Sequence, residues 1–534
     1  LAQVSAQTGC DPGPEFTFYF TAMNLRMFWF HGLWFLTVLA DDDCAPEVAA
    51  SWIQMKLQYD LNEQSDEGYY WVKRGGDLAT TSAINWSVPD VTESPAWVWP
   101  NKDDEQVRHS PLIDDKLNIY VSTTRKLRKF DRLGQLQWTF QLDEKAVTSP
   151  TLRHGKIYIL SGCGTDSGKM YLYALHMENG KIDWNVTLEG QCMGEANSIL
   201  AVDEMLILPY RTKLTNGEED GLNTLGGGAN GVRAVSLNNG THLWDYVTDQ
   251  LMWNFAPSTP GDGTLIFSSC CGAVFRISLE KGETIWKTEA PNGIKNTFCG
   301  TGGGALGPNG IFYVEFNTHH FLASEEKRGM VAAHNVTDGA KLWERKMEKG
   351  YDGIQYPAVG KLGPEGKLSV VVGVGQNTNV PLPLDGEKLE QYLHDSDFRE
   401  DLKVPHFLNR VMALDALTGE TLWTYEEPVW NHFGAAGDEE GFVRRIVEMR
   451  GEGPICLPDA QGIPVINQLD GTVFFSSSHA GNLTAIRDAN HDGILSDDEV
   501  KSFATHNCFL NSPSMAPNMM VAAPCWGPVY VFLK

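Results

Sequence analysis

Twelve residues, Asp488-Ala489-Asn490-His491-Asp492-Gly493-Ile494-Leu495-Ser496-Asp497-Asp498-Glu499, have the types and spacing for metal chemistry. Side-chain oxygens stand at the first, third, fifth, ninth and twelfth places: Asp488, Asn490, Asp492, Ser496 and Glu499. The backbone carbonyl of Ile494 fills the seventh. Gly493 permits the sharp turn that wraps an oxygen shell around a hard cation, and Glu499 supplies a bidentate carboxylate. The pattern predicts a Ca²⁺ loop over 488–499. Leu495 is its apolar anchor, and EVKSFATHN (499–507) is expected to form an exit helix. Upstream, NLTAIR (482–487) reads as a strand, so there is no entry helix and no partner loop to open a groove with. The expected role is a structural Ca²⁺ that fastens a turn.

Other reactive groups are less organised. Cys270 and Cys271 are adjacent, and they read either as a structural pair or as single partners for Cys163, Cys192 or Cys299. His319, His320 and His432 lack ligands at metal spacing. The glycine-rich GTGGGA at 300–305 lacks the strand and helix that a phosphate loop requires. Leu389, Tyr392 and Leu393 share one face of a predicted amphipathic helix over 384–402, placed to cap the mouth of a ring.

These groups must be held by something, and a repeat supplies it. Six segments each run as an alternating strand, a turn and a Trp: Trp138, Trp184, Trp244, Trp286, Trp343 and Trp423. A Gly stands four residues before each: Gly134, Gly180, Gly240, Gly282, Gly339 and Gly419. Gly takes a positive-φ turn position, and the Trp on the outgoing strand can cover the neighbouring unit and donate its indole N–H to a backbone carbonyl. The shorter Trp intervals fit one four-stranded blade, the longer ones a blade with an insertion. The pattern predicts an all-β, eight-bladed β-propeller, with seven blades as the alternative. MMVAAPCWGPVYVF (519–532) lacks an outer strand, which SPAWVW (94–99) can supply through Trp97 or Trp99. Closure by N- and C-terminal strands is therefore expected.

The repeat resembles that of the pyrroloquinoline-quinone (PQQ) propellers. Ala413-Leu-Asp415-Ala-Leu-Thr418-Gly419-Glu-Thr-Leu-Trp423 matches the family's tryptophan-docking motif in full. The resemblance covers about residues 70–534 and joins an EF-hand-type loop in the seventh blade. For a dehydrogenase of this kind it implies an axial PQQ and Ca²⁺, and it carries the cofactor-binding positions onto Gln376, Asn377, Glu195, Cys270 and Cys271. The positions implied for the catalytic Asp and the Asp that comes after it read Pro428 and Asn431, neither a general base at neutral pH. No catalytic residue is assigned. The family spans enzymes and assembly scaffolds, so fold alone does not choose between them.

The chain has 534 residues, with 68 Asp and Glu against 42 Lys and Arg, a net charge of −26. That charge argues against nucleic acid as a partner. Met23 to Ala40, with an apolar run over 27–39, reads as a signal peptide after a translated leader (1–22). An extension (41–70) and the propeller (71–534) come next, with no later segment long enough to span a membrane. Nine cysteines beyond Cys10 and sequons at Asn85, Asn185, Asn239, Asn335 and Asn482 suit a secreted or endomembrane-lumenal disulfide-bonded glycoprotein. The functional expectation is a calcium-binding propeller that acts as a binding or scaffold module for a protein, glycan or small-molecule ligand. The alternative is a PQQ- and Ca²⁺-dependent alcohol or sugar dehydrogenase with a modified site.

Overall fold

The computed structural model describes residues 68–534 apart from 103–104, 147, 163–168, 190–196, 212–228, 292–302, 319–327, 377–406, 433 and 440–461. Within the separate unit Leu1–Lys56 it also describes the backbone of a hairpin, Met27–Phe30 with Leu33–Leu36, cut from the apolar run. Among the described residues no helix is long and apolar enough to cross a membrane.

The second unit is an eight-bladed β-propeller, and the seven-bladed alternative falls away. Blades one to six end in the outer strands Leu136–Gln141, Ile182–Glu189, His242–Met252, Thr284–Lys287, Lys341–Lys346 and Thr421–Glu426. Blade seven ends in Val500–Ala504. Blade eight takes its outer strand from the other end of the sequence: Trp97–Trp99 pairs with Val529–Leu533, so the ring closes as the sequence predicts. Apolar residues alternate into the gaps between blades, and large buried clusters fill those gaps.

One row of residues repeats around the ring. In blade two, Thr151, Tyr158, Ala174 and Trp184 lie side by side from the inner to the outer strand. In blade six the row is Ala358, Val371, Ala413 and Trp423. The indole does not cover its own hairpin glycine. It lies on the glycine turn of the next blade: Trp97 on Gly134, Trp138 on Gly180, Trp184 on Gly240, Trp244 on Gly282, Trp286 on Gly339 and Trp343 on Gly419. Each of these N–H groups donates to a carbonyl of that next blade over 2.8–3.2 Å. The glycines sit at φ +68° to +84°, and a Cβ on any of them would come within 2.6–2.9 Å of the docked indole. Trp97 therefore locks the closure of the ring as well as one seam. Trp97→Ala is expected to cost about 2–4 kcal/mol, read from the denaturation midpoint, against a negligible change for the exposed neighbour Val98→Ala.

A strap precedes the first blade. From Tyr70 to Ile84 its backbone pairs in turn with the inner strands of blades one, two, four, five, six and seven. The contacts are Trp71 with Ile113, Val72 with Leu152, Leu78 with Thr259, Ala79 with Leu306, Thr81 with Val359 and Ser82 with Ile466. Crossing from blade two to blade four and onward carries the strap over the axis, on the face where the glycine turns lie. Antiparallel connectivity sends the connections after Gly375 and Glu426 to the opposite face.

Candidate functional site

Lys73 and Arg74 sit where the strap crosses the axis, and both are buried. The Lys73 ammonium donates to Thr80 Oγ1 over 2.7 Å and to the Arg74 carbonyl over 3.2 Å, and Thr80 Oγ1 bonds Ser258 Oγ on blade four. Arg74 reaches Gln355 on blade six over 3.0 Å, with its guanidinium 4.6 Å from the centre of the Tyr356 ring. Burial pulls Lys73 down to about 7, with Asp77 opposing that pull. Burial also holds His109 of blade one well below the usual imidazole range, helped by Arg74 and Arg108. Arg74 thus bonds blade six directly, whereas Lys73 is tied to blade four only through Thr80. The sequence reading missed this basic pair. Its local signal is the tight turn Gly75-Gly76, at φ +83° and +87°, directly after two basic residues.

The 488–499 loop joins the third and outer strands of blade seven, where blades one to six carry a glycine turn. Its acidic groups hold the loop's own donors. Asp488 Oδ2 accepts from Gly493 N, Asp492 Oδ1 from Ile494 N, and Glu499 from Ala489 N, Ser496 N and Ser496 Oγ. Bonds from Ser496 and Ala489 keep the Glu499 carboxyl below its ordinary range. Asp488 Oδ1 is buried with no hydrogen-bond partner, Asn490 bonds Asp492, and Gly493 makes its turn at φ +78°. An oxygen so placed suits a cation. Even so, among the described residues no three His, Cys, Asp or Glu side chains gather into a metal group. The expected exit helix is absent: a short 3₁₀ turn, Asp497–Glu499, leads into the strand Val500–Ala504. Pairing with Asn482–Ile486, from Val500 opposite Ile486 to Ala504 opposite Asn482, holds this segment as the blade's outer strand.

The positions implied for a quinone site do other work. Gln376 pairs with Leu408 through both backbone and side chain, at 2.9 and 3.2 Å. Cys271 is disulfide-bonded and Cys270 is a thiol, so the two are not joined to each other; both are buried among Phe267, Phe275 and Leu251. Pro428 and Asn431 are exposed. Asn377, Glu195 and the predicted helix at 384–402 lie outside the described residues. Of the implied cofactor-binding positions, Gln376, Cys270 and Cys271 are the ones among the described residues. A buried carboxylate that the sequence reading did not single out, Glu315, faces Gly353 at the seam of blades five and six.

A family of PQQ repeats described as "outer membrane protein assembly factor BamB" matches residues 76–223 and 228–354. No curated protein matches the chain in sequence. A europium-containing methanol dehydrogenase is similar in structure at 12% identity and a TM-score of 0.53, over 89% of this chain and 100% of that one. The quinohemoprotein alcohol dehydrogenase from Comamonas testosteroni gives 13% and 0.54, over 91% and 84%. BamB from Moraxella catarrhalis gives 11% and 0.48, over 83% and 99%. At such identities the likeness to the dehydrogenases is one of fold. The family match spans more than half of the sequence, and the chain accordingly belongs to that family of PQQ-repeat propellers.

Proposed function

We propose that this chain is a secreted or lumenal calcium-binding propeller that serves as a binding scaffold. Its ligand, a protein, glycan or small molecule, would sit on the face from which the long connections emerge. The observation that carries this reading is the employment of the implied quinone-site residues. Gln376 ties down a neighbouring strand, Cys271 is bonded elsewhere than to Cys270, and proline stands at the position implied for the catalytic Asp. The rival is a PQQ-dependent dehydrogenase. Purified protein supplied with PQQ and Ca²⁺ should give no dye-linked oxidation of alcohols or sugars. Robust turnover, lost on replacing Asn377 or Glu195, would sink the scaffold reading.

Calcium would be held by Asp488, Asn490, Asp492, the Ile494 carbonyl, Ser496 and Glu499, with the orphaned Asp488 oxygen as the supporting feature. Calorimetric titration with CaCl₂ should give a single site, lost in Asp488→Ala/Glu499→Ala. Calcium at about a hundred times its dissociation constant should stabilise the protein by roughly 2.7 kcal/mol, and chelation should reverse the gain. Equal binding by the double variant would refute the assignment.

A further inference from the structure

Seven tryptophans stand in the outer place of the row, and Trp423 is seated unlike the other six. In those six seams the indole N–H is accepted three residues beyond the third member of the next blade's row. Trp138 finds Met177 after Ala174, Trp286 finds Val336 after Ala333, and Trp343 finds Ala416 after Ala413. Trp423 faces blade seven, whose row reads Val465, Phe474, Ala485 and, in the tryptophan place, Lys501. Three residues beyond Ala485 is Asp488, the first residue of the 488–499 loop. The loop therefore stands where Trp423 would meet a glycine turn and a carbonyl acceptor. Among the described residues the Trp423 N–H has no such acceptor, whereas the other six are all held. Gly493 abuts the chain one residue earlier, since a Cβ there would lie 2.6 Å from the Leu422 carbonyl oxygen. Trp423 is still buried, at 3% exposure, in a cluster with Ile486 against which Leu422, Leu495 and Val500 pack.

We propose that the 488–499 loop is the seat of Trp423, and that calcium bound there locks the seam between blades six and seven. The inference rests on the calcium reading above. In the structure Asp488, Asp492 and Glu499 hold the loop's own N–H groups, so a cation has to draw them inward and reshape the loop. Its ends are fixed, because Ile486 pairs with Val500 and the Arg487 N–H donates to the Glu499 carbonyl over 2.9 Å. The change therefore falls on the middle of the loop. There Gly493 abuts Leu422, and Leu495, next to the Ile494 carbonyl assigned to the metal, packs on the Trp423 cluster. Metal and indole then share one piece of chain, and each must alter the other's free energy by the same amount.

The test uses the whole protein and CaCl₂, with calorimetry for affinity and amide hydrogen exchange for the seam. Trp423→Ala should bind calcium about fivefold or more weakly than the parent, although every calcium ligand is intact. Trp343→Ala, the same truncation one seam earlier, should bind calcium as the parent does. Exchange needs no variant and so stands even where the alanine proteins fail to fold. In the parent, calcium should slow exchange across Thr421–Glu426 by about fivefold or more and leave Lys341–Lys346 of blade five unchanged. Calcium binding without that slowing, or equal affinity in Trp423→Ala and the parent, overturns the coupling and leaves the calcium site standing. Equal slowing of both strands also overturns it, since the metal would then stabilise the ring at large. A parent that takes up no calcium in the calorimeter refutes the calcium reading, and this inference with it.

Discussion

Trp244→Ala should destabilise the propeller by about 3–5 kcal/mol, the largest loss expected among the six indoles with a glycine seat. Of the six indoles with a glycine seat it is the most buried, at 8% exposure, and its N–H reaches the Leu279 carbonyl over 2.8 Å. Truncation opens a cavity between blades three and four and leaves that carbonyl without its donor. Gly282 supplies the matching test from the other side. A Cβ there would lie 2.6 Å from the Trp244 ring at φ +69°, so Gly282→Ala combines crowding with left-handed backbone strain, together roughly 2–4 kcal/mol. The double variant removes the crowding and keeps only the strain. Its loss should fall well short of the sum of the single losses. Strict additivity in urea midpoints would mean that the two residues do not form one seat.

The parts of this fold legible in the sequence are those whose signal is local. A hairpin glycine and a tryptophan four residues later lie within one turn of chain, so six blades could be read directly, and the closing strand with them, though not whether Trp97 or Trp99 docks. Lys501 escaped because the twelve-residue loop lengthens the turn and destroys that spacing. Only pairing with Ala485 shows that it occupies the tryptophan place. The strap escaped for another reason. Its residues are buried by inner strands of six blades scattered from Ile113 to Ile466, and nothing near Lys73 and Arg74 announces that a basic pair will be enclosed. The loop at 488–499 was read by donor type and spacing, which specify a ligand set but leave the conformation of the downstream chain open. A helix was therefore expected after Glu499, where a strand stands. The quinone positions show the converse limit. A family pattern located Gln376 and the cysteine pair, but their roles were set by Leu408 and by a disulfide that leaves out Cys270.

Glu315→Gln should stabilise the protein increasingly as the pH rises from about 4.5 through neutrality. Glu315 lies on the strand Ile311–Asn317, where alternation turns Tyr313, Glu315 and Asn317 toward blade six. Asn317 uses its position to accept the Gly353 N–H over 2.8 Å. Glu315 is 1% exposed, neither of its oxygens has a hydrogen-bond partner among the described residues, and Gly353 leaves it room, since a Cβ there would lie 2.6 Å from Glu315 Cγ. Desolvation alone pushes its carboxyl well above the ordinary value of 4.5. Below pH 4.5 the folded and unfolded chains are both protonated here, and the group has no effect on stability. Above it the unfolded chain gives up the proton while the folded chain keeps it, so folding is penalised by about 1.4 kcal/mol per pH unit until the folded group also ionises. Glutamine keeps the shape and never ionises. Any constant cost of burying its amide shifts the whole curve and leaves the slope untouched, so the decisive quantity is the difference between the two proteins across pH 4–8. A gap that widens in favour of the glutamine variant from pH 4 toward pH 8 is the expected result. Parallel curves would mean that Glu315 is ionised in the folded protein, with a cation beside it that restores an ordinary affinity for protons.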